Sequence, residues 1–548
     1  MKASDLFVKC LVNEEVEYIF SVPGEENLDL LESLRKTKIK IIINRHEQVS
    51  AFMAATYGRL TGKVGVCMAT LGPGATNLIT GIAHGQLGGM PMLSITGQKG
   101  VRDNLQANFQ VLDIVNMFKP ITKHSVQIVS PKNIPKEIRN AFKLSTSERQ
   151  GATHIELPED IAIENINGFI PQKKIQIRRP IAEKKSINFV VDEIKKAKNP
   201  IIIISSRAQR NRVRDSIKSF CNKTNIYAIH TQLGKGVLGD DHKNSLYTFG
   251  IHKKDYVNCV VDRSDLLIMV GYNTVEHPPS VWNKNRNKKI IHIDFVSSEN
   301  DTYYDPIVEV IGDIAESISM ISKQLGKYSH DGNYELKIKK KLNEILFMDG
   351  TKDNSFPIKP RKLIKDIRTV MGKKDIICLD NGIYKMWFSR HYPAYDIGTV
   401  LLDNTLATMG AGMPSALAAK LVNPKKKILA VCGDGGFMMN SQDLATAVKY
   451  KINIVVLILN DNAYGFIKWK QKNHGFSDFA LDLNNPNFVK YAQSYGAKGF
   501  EIKSSAELIP TLKKAFLLNK PVIIDCKIDY SENFEIFTNE LNDIKCNY

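Results

Sequence analysis

The chain has 548 residues, 43% of them hydrophobic and 24% charged, with a formal net charge of +18. That length accommodates about three domains of ordinary size, and no uncharged apolar run is long enough to span a bilayer. The charge raises the possibility of a nucleic-acid partner, but the lysines spread over helix-like faces such as ELKIKKKLNEIL rather than interleaving with aromatics, which argues against one.

The opening stretch, MKASDLFVKCLVNEEVEYIF, reads as an amphipathic helix with acids in its second half rather than as a signal peptide, so a cytoplasmic protein is expected. Short apolar strands then alternate with helical stretches: KIIIN at Lys40 to Asn44, VGVCMAT at Val64 to Thr70, MLSITG at Met92 to Gly97 and THIELP at Thr153 to Pro158. This alternation predicts an α/β unit built on a parallel sheet, residues 1–170. The charged, proline-bearing stretch from Pro171 to Ser186 reads as a linker. A second unit, 186–327, carries strands at Pro200 to Ser205, Asp265 to Gly271 and Lys289 to Phe295, and a polar segment from Lys327 to Pro360 closes it. A third, 360–548, carries DIICLDNG, KILAVCGDGG, INIVVLILND and PVIIDCKID. The predicted fold is therefore three doubly wound parallel-sheet domains, the first and third sharing a plan of strand, glycine turn and helix at ATLGPGATN and VCGDGGFMMN. The eight cysteines are scattered without a C-x-x-C pair, several inside apolar runs, and are expected to be reduced and mostly buried.

The chemistry concentrates in the third unit. A strand runs into Gly433, Asp434, Gly435 and Gly436, a helix is expected over Ser441 to Tyr450, and a second strand ends at Asn460. One such crossover brings both strand ends to the same edge of the sheet, so Asp434 and Asp461, 27 positions apart, emerge side by side. Two carboxylates at that edge suit a hard cation with oxygen ligands, and magnesium bridging to a phosphorylated cofactor accounts for both the acids and the glycines. The competing loops fit worse: there is no G-K-[ST], and G-D-G-G lacks dinucleotide spacing.

Joined to Asn460 and Asp461, the glycine loop resembles the G-D-G to N-N signature of thiamine diphosphate (ThDP) enzymes, and the resemblance extends over essentially the whole chain. It implies a pyrimidine-binding first domain, a central Rossmann-like domain and a diphosphate-binding third domain. It also implies Mg2+ held by Asp434, Asp461 and the backbone carbonyl of Ala463; Asp461 departs from the commoner asparagine. RHEQVSAFMA resembles the stretch with the activating glutamate, which makes Glu47 the partner of N1′ of the aminopyrimidine, helping the 4′-imine remove the thiazolium C2 proton. Without the resemblance, Glu47 reads as a helix-start carboxylate. Met409 matches the bulky residue under the bent cofactor, although methionine is also an ordinary core filler. Gly72 and Gly74, with Phe109 and Gln110, match loops on the substrate side; a buried Gln110 could equally satisfy backbone groups. Gly382 and Tyr384 fall where the diphosphate is cradled, with Tyr384 replacing a histidine of many acetolactate synthases.

RHEQ, GRLTGKVGVCMATLGPGATNL, FKPITKHS and the ending VIIDCKIDYSENF resemble acetolactate synthases, the catabolic type in particular. That implies decarboxylation of pyruvate and transfer of the remaining two-carbon unit to a second 2-oxo acid, giving 2-acetolactate. In the middle unit, Ser205, Ser206 and Arg207 stand where FAD-binding relatives carry a glycine cluster, so FAD is not expected. Lys470, beside Trp469, falls at the second-substrate position and either pairs with an acidic substrate or faces solvent. The resemblance further implies a homodimer or homotetramer with sites between chains. Two rivals remain: another ThDP-dependent 2-oxo acid decarboxylase or carboligase, and a non-catalytic homologue acting as a binding subunit.

Overall fold

The computed structural model describes residues 1–101, 108–174, 178–251, 255–348, 350, 352–541, 544 and 546. It contains three six-stranded sheets in which every strand pairing is parallel. The first comprises β1 (Tyr18–Ser21), β2 (Lys40–Ile43), β3 (Gly65–Ala69), β4 (Met92–Gln98), β5 (Ser125–Gln127) and β6 (Ala152–Pro158), in the order β2-β1-β3-β4-β6-β5. The second comprises β7 (Pro200–Ile204), β8 (Tyr227–His230), β9 (Ser245–Thr248), β10 (Leu266–Val270), β11 (Lys289–Asp294) and β12 (Val308–Ile311), in the order β12-β11-β10-β7-β8-β9. The third comprises β13 (Ile376–Leu379), β14 (Val400–Leu401), β15 (Ile428–Gly433), β16 (Val455–Asn460), β17 (Lys498–Ile502) and β18 (Val522–Lys527), in the order β14-β13-β15-β16-β18-β17.

The strand orders of the first and third sheets are the same, so the shared plan expected from the glycine turns extends to the whole topology. Interior strands such as β7 (PIIII) are buried along their full length, as expected of a sheet covered by helices on both faces. Seven helices position the site or define the domains: α1 (Glu47–Thr61), α2 (Pro73–Leu87), α3 (Asn333–Phe347), α4 (Ile383–His391), α5 (Gly412–Val422), α6 (Asp434–Asn440) and α7 (Gly465–Asn473).

The first and third domains share one core. Helix α1 packs between α2 and α5, and its small residues set the distance: a Cβ on Gly81 of α2 would lie 2.4 Å from Ala51 Cβ. Polar ties reinforce the contact, with Asn44 Nδ2 donating to Asp443 Oδ1 (3.0 Å) and Thr56 Oγ1 to Ser415 Oγ (3.0 Å).

Four sequence expectations are corrected. The opening helix stops at Asn13, and Tyr18–Ser21 is already strand β1. The helix expected from Ser441 begins instead at Asp434, because the glycines that read as a turn continue into its first turn. The polar segment after Lys327 contains α3, whose Ile338, Leu342 and Ile345 are buried. Cys259 and Cys546 form a disulfide across 287 positions, a pairing that spacing could not suggest; the other six cysteines are free and buried, as expected. Among the described residues, no helix is long and apolar enough to cross a membrane.

Candidate active site

In the third sheet the connection reverses direction between β13 and β15; Gly382 lies on the loop leaving β13, and Gly433 is the last residue of β15. Such a switch point is where open α/β sheets bind ligands. Glycine is required here by close approach. A Cβ on Gly382 would lie 2.5 Å from the Tyr384 ring, one on Gly433 would lie 3.2 Å from it, and one on Gly436 would lie 2.5 Å from Asp380 Oδ2. Gly435 is similarly pressed against the Tyr464 ring, at 2.8 Å. Neither Gly382 nor Gly433 has a side chain to cap the helix it opens; in α6 the Gly435 amide donates to Asp434 Oδ1 (3.0 Å), and no cap side chain takes the first amides of α4.

Tyr384 sits between these loops. Its hydroxyl is buried without a hydrogen-bond partner among the described residues, and burial pushes its pKa well above the ordinary tyrosine value. The Gly433 backbone is near enough to favour the ionised form, yet no hydrogen bond of good geometry is made. A buried, unsatisfied hydroxyl beside two uncapped helix starts fits the oxygens of a diphosphate.

Asp434 and Asp461 emerge at the ends of the paired strands β15 and β16, as the crossover argument requires. Burial, and then the neighbouring Asp434 carboxylate, push the Asp461 carboxyl up to about 7. Burial also raises Asp434, opposed chiefly by the hydrogen bond from Asn485 Nδ2 to its Oδ2 (2.6 Å). Two partly buried acids, one of them raised by the charge of the other, are relieved by a divalent cation, and an all-oxygen set suits Mg2+. Ala463 is buried and pairs by an isolated antiparallel bridge with Asp482, on the far side of α7 in the chain. Among the described residues no cluster of three or more His, Cys, Asp or Glu side chains competes as a metal centre.

Glu47 is the first residue of α1, but it does not cap it. His46 is the cap, accepting from the Gln48 amide at Nδ1 (3.1 Å), which leaves the Glu47 carboxylate to accept from Asn77 Nδ2 of α2 (2.9 Å). Gly74 lies beside it; a Cβ there would be 3.5 Å from Glu47 Oε1. Gly72 has a φ of +50°, and its hypothetical Cβ would be 2.7 Å from the Gln110 carbonyl, so the two substrate-side loops do meet. Gln110 is nevertheless exposed and has a φ of 59°, and Phe109 is 77% exposed, which rules out a buried Gln110 within this chain.

Met409 is half-buried in the loop before α5. The residues that hold this loop were not apparent in the sequence. Asp380 accepts from the amides of Gly410 (3.0 Å) and Ala411 (3.2 Å), and Asn440 Nδ2 donates to the Gly410 carbonyl (2.8 Å) and to Gln48 Oε1 (3.0 Å). The residue after Glu47 is thus tied through Asn440 to the residue after Met409.

Beyond Asp461 and Ala463 a cleft of about 640 Å³ opens between α7 and the segment after β18. Trp469 lines it and is buried, as do Lys468, Lys472 and Tyr530. Lys470, on the other side of α7, is exposed and lies over the rings of Trp469 (4.7 Å) and Phe466 (5.6 Å). Asn485, Asp380 and Tyr530 are site residues that the sequence reading missed. Asn485 could have been found only by knowing the fold, since it is 51 positions from Asp434.

In the middle domain the Ser205 to Arg207 turn closes on itself. Glu276 Oε1 accepts from Ser205 Oγ (2.7 Å) and the Ser206 amide (3.2 Å), and Glu276 Oε2 accepts from the Leu233 amide (3.2 Å). Arg207 Nε donates to Asp294 Oδ2 (2.7 Å).

These features define a cofactor-dependent α/β enzyme of three domains. The chain matches the thiamine pyrophosphate enzyme N-terminal binding domain over residues 1–117, the central domain over 187–321 and the C-terminal binding domain over 380–526. The chain belongs to the thiamine pyrophosphate enzyme family and is a ThDP-dependent enzyme. Within that family it is similar to the acetolactate synthase of Bacillus subtilis (strain 168), with 31% identity covering 98% of this chain and 95% of the relative. It is similar to the catabolic acetolactate synthase of Raoultella terrigena at 29% identity, covering 97% and 95%. A probable acetolactate synthase large subunit of Methanococcus aeolicus is 32% identical over 97% of this chain and 92% of that one.

Proposed function

We propose that the protein is an acetolactate synthase, which uses ThDP and Mg2+ to decarboxylate pyruvate and join the remaining two-carbon unit to a second 2-oxo acid, giving 2-acetolactate. The observation that carries this reading is the Asp434–Asp461 pair at the switch point, beside the glycine loops and the unsatisfied Tyr384 hydroxyl. Full-length similarity to acetolactate synthases supports the choice of reaction.

Asp434, Asp461 and the Ala463 carbonyl hold the metal, and Gly382, Tyr384 and Gly433 to Gly436 hold the diphosphate. Gly72 and Gly74 flank the pyrimidine side. Bound ThDP supplies the electron sink for decarboxylation. Glu47 holds the proton at N1′ of the pyrimidine, and Asn77 orients its carboxylate. Met409 would pack against the bound cofactor, its loop fixed by Asp380 and Asn440. Phe109, Gln110, Trp469 and Lys470 are proposed substrate contacts. The outward position of Phe109 and Gln110 supports a homodimer or homotetramer in which a second chain completes each site. The closed Ser205 turn supports a protein that works without FAD. Action in the cytoplasm is part of this reading; the six buried free thiols fit it, and the Cys259–Cys546 disulfide does not.

Incubation with pyruvate, ThDP and Mg2+ tests the reading. Acetolactate is expected; free acetaldehyde without acetolactate favours the rival decarboxylase, and inactivity with every 2-oxo acid favours the binding subunit.

A further inference from the structure

After β18 the chain continues as a C-terminal arm that packs onto the third domain, with Ile536, Phe537, Leu541 and Ile544 buried. The Phe537 ring meets Trp387 of α4 (4.7 Å) and Trp469 of α7 (6.4 Å) edge-on. Trp387 Nε1 donates to Asn533 Oδ1 (2.7 Å), and Thr538 Oγ1 donates to Asn473 Oδ1 (2.8 Å) at the end of α7. The arm thus spans the helix that carries Tyr384 and the helix that lines the cleft beyond Asp461. Tyr530, Ser531, Asn533 and Phe534 are its share of that cleft's wall.

Two ties join the far end of the arm to the middle domain. Arg390, buried on α4, donates from Nε to Asp255 Oδ2 (2.9 Å) and from Nη2 to Glu540 Oε1 (3.4 Å), so it links a middle-domain loop to the arm. The Cys259–Cys546 disulfide joins the same two segments covalently, four residues beyond Asp255 and six beyond Glu540. Cys259 is buried and Cys546 only partly so, which exposes the bond to a reductant from the Cys546 side. A chain terminus frays unless it is tied down. The arm is anchored at β18 by the sheet and at its far end by this bond, the one disulfide among the described residues. A disulfide kept among reduced thiols is usually a transient or redox-sensing one.

We propose that Cys259 and Cys546 form a redox-sensitive clasp on the C-terminal arm: the disulfide holds the arm as a wall of the cleft, and reduction by a dithiol frees it and speeds the release of ThDP. A thiolate of the reductant attacks Cys546 Sγ, the bond between the two protein sulfurs breaks, and Cys259 leaves as a thiolate that takes up a proton. The reductant's second thiol then displaces Cys546. Two protein thiols form as the dithiol becomes a disulfide, with two electrons and two protons transferred. The effect on ThDP rests on the cofactor placement proposed above; the freeing of the arm does not.

The full chain, loaded with ThDP and Mg2+ and equilibrated with glutathione disulfide, is compared before and after treatment with dithiothreitol. Alkylation after denaturation, read by mass, is expected to label six cysteines before reduction and eight after it. Glutamyl endopeptidase is expected to cut after Glu540 about tenfold faster in the reduced form, and ThDP to leave about threefold faster or more on transfer to cofactor-free buffer. Cys546→Ser is expected to match reduced wild type and to be indifferent to dithiothreitol; Cys546→Ala gives the same comparison if that variant folds poorly. Eight labelled cysteines before reduction, or equal cleavage in the two forms, would overturn the clasp. Faster cleavage with unchanged ThDP release would overturn its control of the cofactor. Because arm cleavage and ThDP release are read instead of acetolactate formation, either failure is distinct from a failure of the proposed reaction.

Discussion

Removing the Tyr384 hydroxyl is predicted to act with opposite sign on the cofactor-free and cofactor-bound protein. In the free protein the hydroxyl is buried without a partner, so Tyr384→Phe deletes a desolvation cost of about 1–3 kcal/mol and no hydrogen bond. Part of that gain is lost to the small gap left between the Gly382 and Gly433 backbones, giving a net stabilisation on the order of 1 kcal/mol. In the bound protein the same hydroxyl donates to a charged phosphate oxygen, a contact worth about 1.5–3 kcal/mol. At about 1.4 kcal/mol per tenfold, affinity for ThDP falls by about one to two orders of magnitude. Thermal unfolding of the stripped protein and fluorescence titration with ThDP at saturating Mg2+ measure the two effects separately. A stripped variant less stable than wild type, together with unchanged ThDP affinity, would show that the hydroxyl serves the fold rather than the cofactor.

Three further outcomes are expected. Glu47→Gln keeps ThDP binding but loses about 10² to 10⁴ of turnover, as removal of general acid/base assistance does; full turnover would take Glu47 out of the mechanism. Asp434→Ala abolishes the difference in ThDP retention between Mg2+ and chelator on a desalting column, and a retained difference would refute the metal assignment. Glu156, buried on β6 and accepting from Gln98 Nε2 (3.1 Å) and Gln127 Nε2 (2.7 Å), has its carboxyl pushed by burial from 4.5 up to about 7. The folded form therefore binds this proton more tightly than the unfolded chain. The associated stability is complete below 4.5 and lost as pH rises through about 7, so Glu156→Gln should come closest to wild type near pH 4 and exceed it by up to about 3 kcal/mol near pH 8. Urea midpoints at the two pH values check this, and a gain that does not grow with pH would contradict it.

The third domain was the most legible in sequence because its central strands are continuous apolar runs with chemistry at their ends. The pairing of β15 with β16 followed from a single crossover, and with it the meeting of Asp434 and Asp461. Edge strands were not legible: β14 is two residues long, and KGFEI of β17 mixes glycine and glutamate into a half-exposed strand. Glycines misled at Asp434, where sequence preference favoured a turn and tertiary packing against Asp380, Tyr384 and Tyr464 produced helix. Asn485 and Asp380 could not be read because their roles depend on loops that meet only in the fold. Lys470 illustrates the same limit, since the faces of α7 are distinguished by what packs against Trp469 rather than by residue type.

The most direct test of the central claim is the stoichiometry of CO2 release against pyruvate consumption by the protein loaded with ThDP and Mg2+. Acetolactate formation predicts one CO2 for every two pyruvate molecules consumed, with both processes stopped by chelator. One CO2 for each pyruvate, with acetaldehyde as the other product, would contradict it.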